Sequence, residues 1–241
     1  MARNPAGGET REKLLRAAEQ LFATHGVDGA QTRDIVRLAG QGNPSAVQYH
    51  FGSRDGLLQA IMATRQERTE QALAPALPGL EALSLQELLA VLVEAEATEL
   101  RTERGRHCLR ISAQISHRSG VRTRTPHPTL AGGGYWRAIC LLERQLTGRL
   151  PEAVRLERID LALTLIGAAL ADRARQYAED EQPLTAEPDF LADLAGMSAA
   201  LLLAPLPDAA ARARHRPEQP HDAPPPSSPP VDLPPYAPGH P

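Results

Sequence analysis

Thr32 to Phe51 reads TRDIVRLAGQGNPSAVQYHF, and this stretch decides the fold. Ile35, Val36, Leu38 and Ala39 share one face of a short helix. Thr32 is a good cap for it, and Asp34 suits the positive end of its dipole. Gly40-Gln41-Gly42 breaks the pattern. Asn43 then caps a second short helix with Pro44 at its first position. Ala46, Val47, His50 and Phe51 supply packed positions there, and Gly52 ends it. One helix braces; the other, polar on one side, can lie in the major groove of duplex DNA. That is the geometry of a helix-turn-helix.

Working outward, residues 1–9 form a polar, Gly-containing flexible lead. Thr10 can cap a helix starting at Arg11, in which Leu14, Ala17, Ala18, Leu21 and Phe22 recur at helical spacing until His25-Gly26. Ser53 caps a longer helix carrying Leu57, Leu58, Ile61 and Met62. Residues 10–56 therefore read as a three-helix DNA-binding domain. Pro75, Pro78 and Gly79 make 73–83 a break. Ser84-Leu85-Gln86-Glu87 is a capping box opening a helix to about Arg101. Cys108–Ile115 and Tyr135–Leu146 read as helices, separated by a Pro- and Gly-rich loop over 119–134.

Pro151 opens the clearest helix. Leu156, Ile159, Leu163, Ile166 and Leu170 recur at steps of three and four. After a Pro-containing break, Phe190, Leu194, Met197 and Leu201 do the same. Two striped helices at the end of a helical region suggest half of a four-helix bundle, completed by a second subunit. An internal hairpin is the alternative, and the subunit interface is the favoured reading. Residues 57–204 thus form a larger helical ligand-binding and dimerisation domain. From Pro205 to 241 lie 13 of the 22 prolines. Such a tail reads as disordered or loosely polyproline II. The fold class is all-α.

Composition fits. Hydrophobic residues make up 42% and aromatics 3%, so the core is built mainly from Leu, Ala, Val and Ile. The net charge of −3 places any DNA contact on a local patch rather than on the whole surface. Lys13 is the only lysine, and Arg suits phosphate and guanine better than an ammonium does. Cys108 and Cys140 have no metal-like spacing, and His107, His117 and His127 do not either; no metal or cofactor is expected. The first residues contain no apolar signal segment, and no run is long enough to span a membrane. A reduced, soluble, cytoplasmic protein is expected. No nucleophile elbow, phosphate loop or dinucleotide fingerprint is present, so an enzyme is not expected.

Thr10 to about Ile61 resembles the DNA-binding domain of the TetR family of bacterial transcriptional regulators. The carrying residues are Arg11, the Leu14–Phe22 face, Gly26, Thr32, Asp34-Ile35, Ala39-Gly40, Tyr49-His50-Phe51 and Ser53 to Leu58. The second half resembles the family in helical pattern only. The turn departs from the commonest form by one extra residue within Gln41–Pro44. The resemblance implies a homodimer on a palindromic operator, usually a repressor, released when an unknown small-molecule effector binds the C-terminal domain.

Particular side chains follow. Gln48 is the favoured base reader, since amides pair well with adenine; Asn43 and Ser45 come second, because helix capping competes for their polar groups. Thr32, Arg33, Tyr49 and Arg54 are candidate phosphate contacts, and His50 is equally a packing residue. Phosphate contacts set register, base contacts carry sequence information. The arginines between Arg101 and Arg124, Arg110 and Arg118 among them, could line a pocket for an acidic ligand; a solvated face is favoured. Tyr135 and Trp136 wall a ligand cavity or pack the core. The competing function is a helical interaction module acting through the Pro-rich tail.

Overall fold

The structure is a computed structural model that describes residues 5–115 and 119–206. Among the described residues it contains nine α-helices and two 3-10 turns, and no strand. The helices are α1 (Pro5–His25), α2 (Thr32–Leu38), α3 (Ala46–Phe51), α4 (Arg54–Leu73), α5 (Leu85–Ala97), α6 (Glu103–Ile115), α7 (Gly134–Leu146), α8 (Glu152–Ala178) and α9 (Glu187–Leu203). The all-α expectation holds. The compact unit ends at Ala204. The expected tail lies outside the described residues from 207 onward, as do His117, Arg118 and residues 1–4.

Two apolar cores form within this unit. The first gathers Leu14, Ala18 and Phe22 of α1, Ile35 and Val36 of α2, Val47 of α3, and Leu57 and Ile61 of α4. Cys108 and Ile111 of α6 complete it from far along the chain. The second core packs α5, α7, α8 and α9 around Leu88, Leu92, Leu109, Leu142, Ile166 and Leu194. Helix α6 serves both cores, because Cys108 and Leu109, about 100° apart around it, pack into different ones.

Polar bonds reinforce that junction. Arg104 of α6 grips the Glu19 carboxylate of α1 with two nitrogens at 2.7 Å and reaches Glu12 at 2.6 Å. Gln114 Oε1 accepts the Val27 amide at 2.7 Å, just past the left-handed Gly26 that ends α1. In the arginine-dense region Arg101, Arg122 and Arg124 are exposed, as a solvated face requires, while Arg104 and Arg106 are partly buried and bonded within the chain. Arg106 donates to the Leu100 carbonyl, Arg122 meets Glu157, and Arg124 meets Glu143 and Glu152.

Several local expectations need correction. Helix α1 starts at Pro5, so Thr10 is an interior residue and not a cap. Thr32 is the first residue of α2, whose N-cap is Gln31, and no side chain caps it there. Leu38 faces solvent, because a seven-residue helix presents only about two turns and Ile35, Val36 and Ala39 fill its inner side. The Asn43 side chain does accept the Ser45 amide at 2.9 Å, but regular helix begins only at Ala46. The capping box on α5 forms with both reciprocal bonds.

The striped helices require the largest correction. Ile159, Ile166 and Leu170 of α8 and Leu194 of α9 are wholly buried inside the protomer. They pack against α5 and α6, so they offer no surface to a partner. Leu163 lines an internal cavity. Phe190 lies under the Arg173 guanidinium at 4.0 Å. Leu156 and Leu201 are half-buried, and Met197 is exposed. The outward apolar residues of these helices are instead Leu161, Met197 and Leu203. A helix lying on a core shows a periodic stripe whether its neighbour is in the same chain or another, so periodicity alone does not choose.

Candidate nucleic-acid interface and internal cavity

The reading head is built from α2, the turn and α3. Gly40 sits at φ 65°, a conformation that glycine adopts without Cβ strain. Its amide donates to the Arg37 carbonyl, and the Gln41 amide to the Val36 carbonyl. Those bonds close α2 and redirect the chain, and the Gln41 side chain returns to the Ala39 carbonyl at 3.1 Å. The longer turn is thereby held by its own hydrogen bonds. Ala46 and Val47 bury the inner side of α3, and Gly52 at φ 74° ends it.

What remains on the outer side is polar and exposed. Asn43, Ser45, Gln48 and Tyr49 all face solvent, Tyr49 at 83% exposure. The Tyr49 ring meets His50 edge-on, with centroids 4.9 Å apart, which steadies the phenol without enclosing its hydroxyl. His50 and Thr32 are half-buried. Arg33 is exposed, with Asp34 3.9 Å away. Seven of the eight residues expected at this surface are thus on it or at its rim.

Arg54 is the exception. Its Nε donates to the Ala30 carbonyl at 3.1 Å, and its guanidinium lies 5.1 Å over the Phe22 ring. It is turned into the fold, where it joins the start of α4 to the end of α1. Conversely Arg37, not singled out from the sequence, is highly exposed on α2 beside Arg33, paired with Asp34 at 3.1 Å. Its i+3 spacing from Asp34 resembles an ordinary surface pair, which is why the pattern alone did not mark it.

The cavity, of about 190 Å³, lies between α4, α5, α6, α7, α8 and the loop before α7. Helix α4 supplies much of its wall through Asp55, Leu58, Gln59, Met62, Arg65 and Gln66. One pole is polar and deeply buried. Arg65 Nη2 donates to Glu96 Oε2 at 2.8 Å, and the Tyr135 hydroxyl donates to the other oxygen of Glu96. Burial opposes the Arg65 charge, but Glu96, supported by Tyr135, Glu99 and Cys108, outweighs it and raises its pKa above the usual arginine value. Burial and then Glu96 push the Tyr135 phenol well above its usual range, so it stays a neutral donor. Glu70 fixes the start of α7, accepting the amides of Gly134 and Tyr135 at 2.7 and 3.2 Å.

Tyr135 is therefore a cavity residue, as one of the two sequence readings held. Trp136 is not; it packs against the second core from the next position on α7. Arg110 lies on another side of α6 from Ser112 and Ile115, which do line the cavity. The residues missed were Arg65 and Glu96. Each sits one helical step from ordinary surface charges, and nothing in the sequence distinguishes a charge paired across 31 positions.

Residues 14–61 match the family model of bacterial regulatory proteins, tetR family. Over 77 residues, 31% of this chain, the sequence is 38% identical to the HTH-type transcriptional regulator SrpR of Pseudomonas putida. It is also 38% identical over 77 residues to an uncharacterized HTH-type transcriptional regulator, TtgW, of the same species. These matches span 36% and 57% of the two relatives' lengths. A TetR-family regulator from Streptomyces coelicolor aligns over 84% of this chain and 99% of its own, at 20% identity and a TM-score of 0.41.

Proposed function

We propose, from the premise that this chain belongs to the TetR family of bacterial transcriptional regulators, that it represses transcription as a homodimer on a palindromic operator and is released when a small molecule fills the cavity. The observation that carries this reading is the continuity of α4. The same helix starts immediately after the recognition helix, contributes Leu57 and Ile61 to the reading-head core, and walls the cavity from Asp55 to Gln66. A ligand that presses on α4 therefore acts on the base of the reading head. It needs only to favour an α4 position that spaces two heads wrongly for their half-sites.

Dimerisation is supported by the outward residues Leu161, Met197 and Leu203 on α8 and α9. Exposed large apolar side chains on two helices that pack together are candidates for a self-complementary two-fold contact. Leu161→Glu together with Met197→Glu should give monomer in sedimentation while leaving the helical spectrum unchanged. Ile166→Glu should instead unfold the protomer, since that position is internal.

The reading is tested by selecting bound duplexes from a random pool with the full-length protein. One enriched palindrome is expected. Gln48→Ala should then relax the preference at one position of each half-site by about 1–3 kcal/mol. Arg33→Ala should weaken all sequences alike and reduce the salt slope by about 1. An intact dimer that enriches no sequence would overturn the proposal.

A further inference from the structure

We infer that Arg11 of α1, outside the helix-turn-helix, binds a phosphate of the DNA backbone at the end of α3, on a platform made by Phe51. This rests on reading α3 as the helix that enters the major groove, and adds to it a contact from a different helix.

The Arg11 guanidinium lies 4.9 Å over the Phe51 ring. Phe51 is the last residue of α3 and is half-buried against the reading-head core. The ring of His50 follows it at 6.3 Å between centroids, and the ring of Tyr49 follows His50 at 4.9 Å. Arg11 is exposed, so it extends this row of rings with a cation at the end of α3. A helix of six residues is about 9 Å long, and the major groove is about 12 Å wide. A long side chain at the end of such a helix is therefore within reach of the backbone that walls the groove. Stacking covers one flat face of a guanidinium and leaves its N–H edge free, and that edge is the part that matches phosphate oxygens.

The other cations of the reading head are already engaged. Lys13 pairs with Glu9 at 2.7 Å and Arg16 with Glu12 at 3.2 Å. Arg37 pairs with Asp34 at 3.1 Å, and Arg33 lies 3.9 Å from the other oxygen of that carboxylate. Arg54, which follows α3 closely in sequence, donates to the Ala30 carbonyl and lies over Phe22. Among the described residues of the reading head, Arg11 is the one arginine or lysine whose head group has neither a carboxylate nor a hydrogen-bond acceptor. It is held by its face, with its charge and its donors unspent. A backbone phosphate supplies both the charge and the acceptors that it lacks. Arg11 thus stands at the place on the head that Arg54 vacates by turning inward.

The test uses the full-length protein and its selected operator duplex, with a neutral methylphosphonate replacing one backbone phosphate at a time. Arg11→Ala should weaken binding to the unmodified duplex about tenfold and lower the salt slope by about one per half-site. At one backbone position in each half-site, the methylphosphonate that weakens the wild type should have no further effect on Arg11→Ala; at all other positions its effect should be the same in both proteins. Arg11→Lys keeps the charge but loses the fork and the flat face, and should restore the salt slope with only part of the affinity. An unchanged salt slope in Arg11→Ala would overturn the inference. So would a lower unfolding midpoint in that variant with every methylphosphonate effect intact, since the arginine would then serve only to cover the ring. Either result, with the operator still bound by the wild type, removes this contact and leaves the proposed function standing; a wild-type protein that binds no duplex removes both.

Discussion

Around α3 the polar side chains of Asn43, Ser45, Gln48 and Tyr49 are turned to solvent, whereas Arg65, Glu96 and Tyr135 in the cavity are turned onto one another. Both regions lean on α4, yet they handle polarity in opposite ways. A surface that meets a polyanion gains by keeping its donors hydrated and available, because water satisfies them until phosphate and bases replace it. At the buried pole of the cavity Arg65, Glu96 and Tyr135 are screened from water, so their polar groups are matched from within. The difference teaches that the number of charged residues in a region says little about how much charge it has left to offer. How many of them are already spent says more.

The comparison breaks most visibly at Arg65. Arg65→Met should strand the Glu96 carboxylate and cost roughly 3–5 kcal/mol in denaturant unfolding. A loss below about 1 kcal/mol, the scale of an exposed pair, would show that the cavity is as well hydrated as the reading face. Next comes the joint between the two regions. Arg104→Ala should leave Glu19, only 2% exposed in the structure, without its two hydrogen bonds and cost about 1–3 kcal/mol. It should also weaken the effect of a cavity ligand on DNA affinity more than it weakens either binding event. Unchanged coupling would mean that α4 alone connects the sites. The smallest effect belongs to Ser53, whose hydroxyl accepts the Gly56 amide at 2.9 Å and caps α4. Ser53→Ala should cost about 1 kcal/mol and loosen the reading head while sparing the cavity. Amide exchange that rises equally around Arg65 would erase the distinction between the two ends of the helix.

Legibility in the sequence followed the range of the interactions. The reading head was legible because its signals are local: the Gly40 turn, the Asn43 side chain over Ser45, and the Gly52 stop each act within a few residues. The same locality misplaced the start of α1, since Thr10 resembles a cap whether or not the residues before it continue the helix. Arg54 resembled a phosphate anchor by position; only the fold brings Ala30 and Phe22 beneath it. The cavity was almost illegible. Tyr135 stood out as an aromatic, but Arg65 and Glu96 gain their meaning from each other across the fold. On α8 and α9 the spacing marked a buried face, but Ile159, Ile166, Leu170 and Leu194 are buried by their own chain while Met197 stays exposed; a periodic stripe carries no mark of whose atoms bury it.

Cys108 lies in the seam where α6 closes the reading-head core, with its sulfur 3.6 Å from Arg68 Nη2. Burial pushes its thiol up to about 11. The closed seam therefore both hides the sulfur and withholds its nucleophilic form. Cys140 on α7, by contrast, is exposed. An alkylating reagent at neutral pH should modify Cys140 promptly and Cys108 only during excursions that part α6 from α1. The chain thus contains its own stopwatch for that parting, and adding operator DNA should slow it.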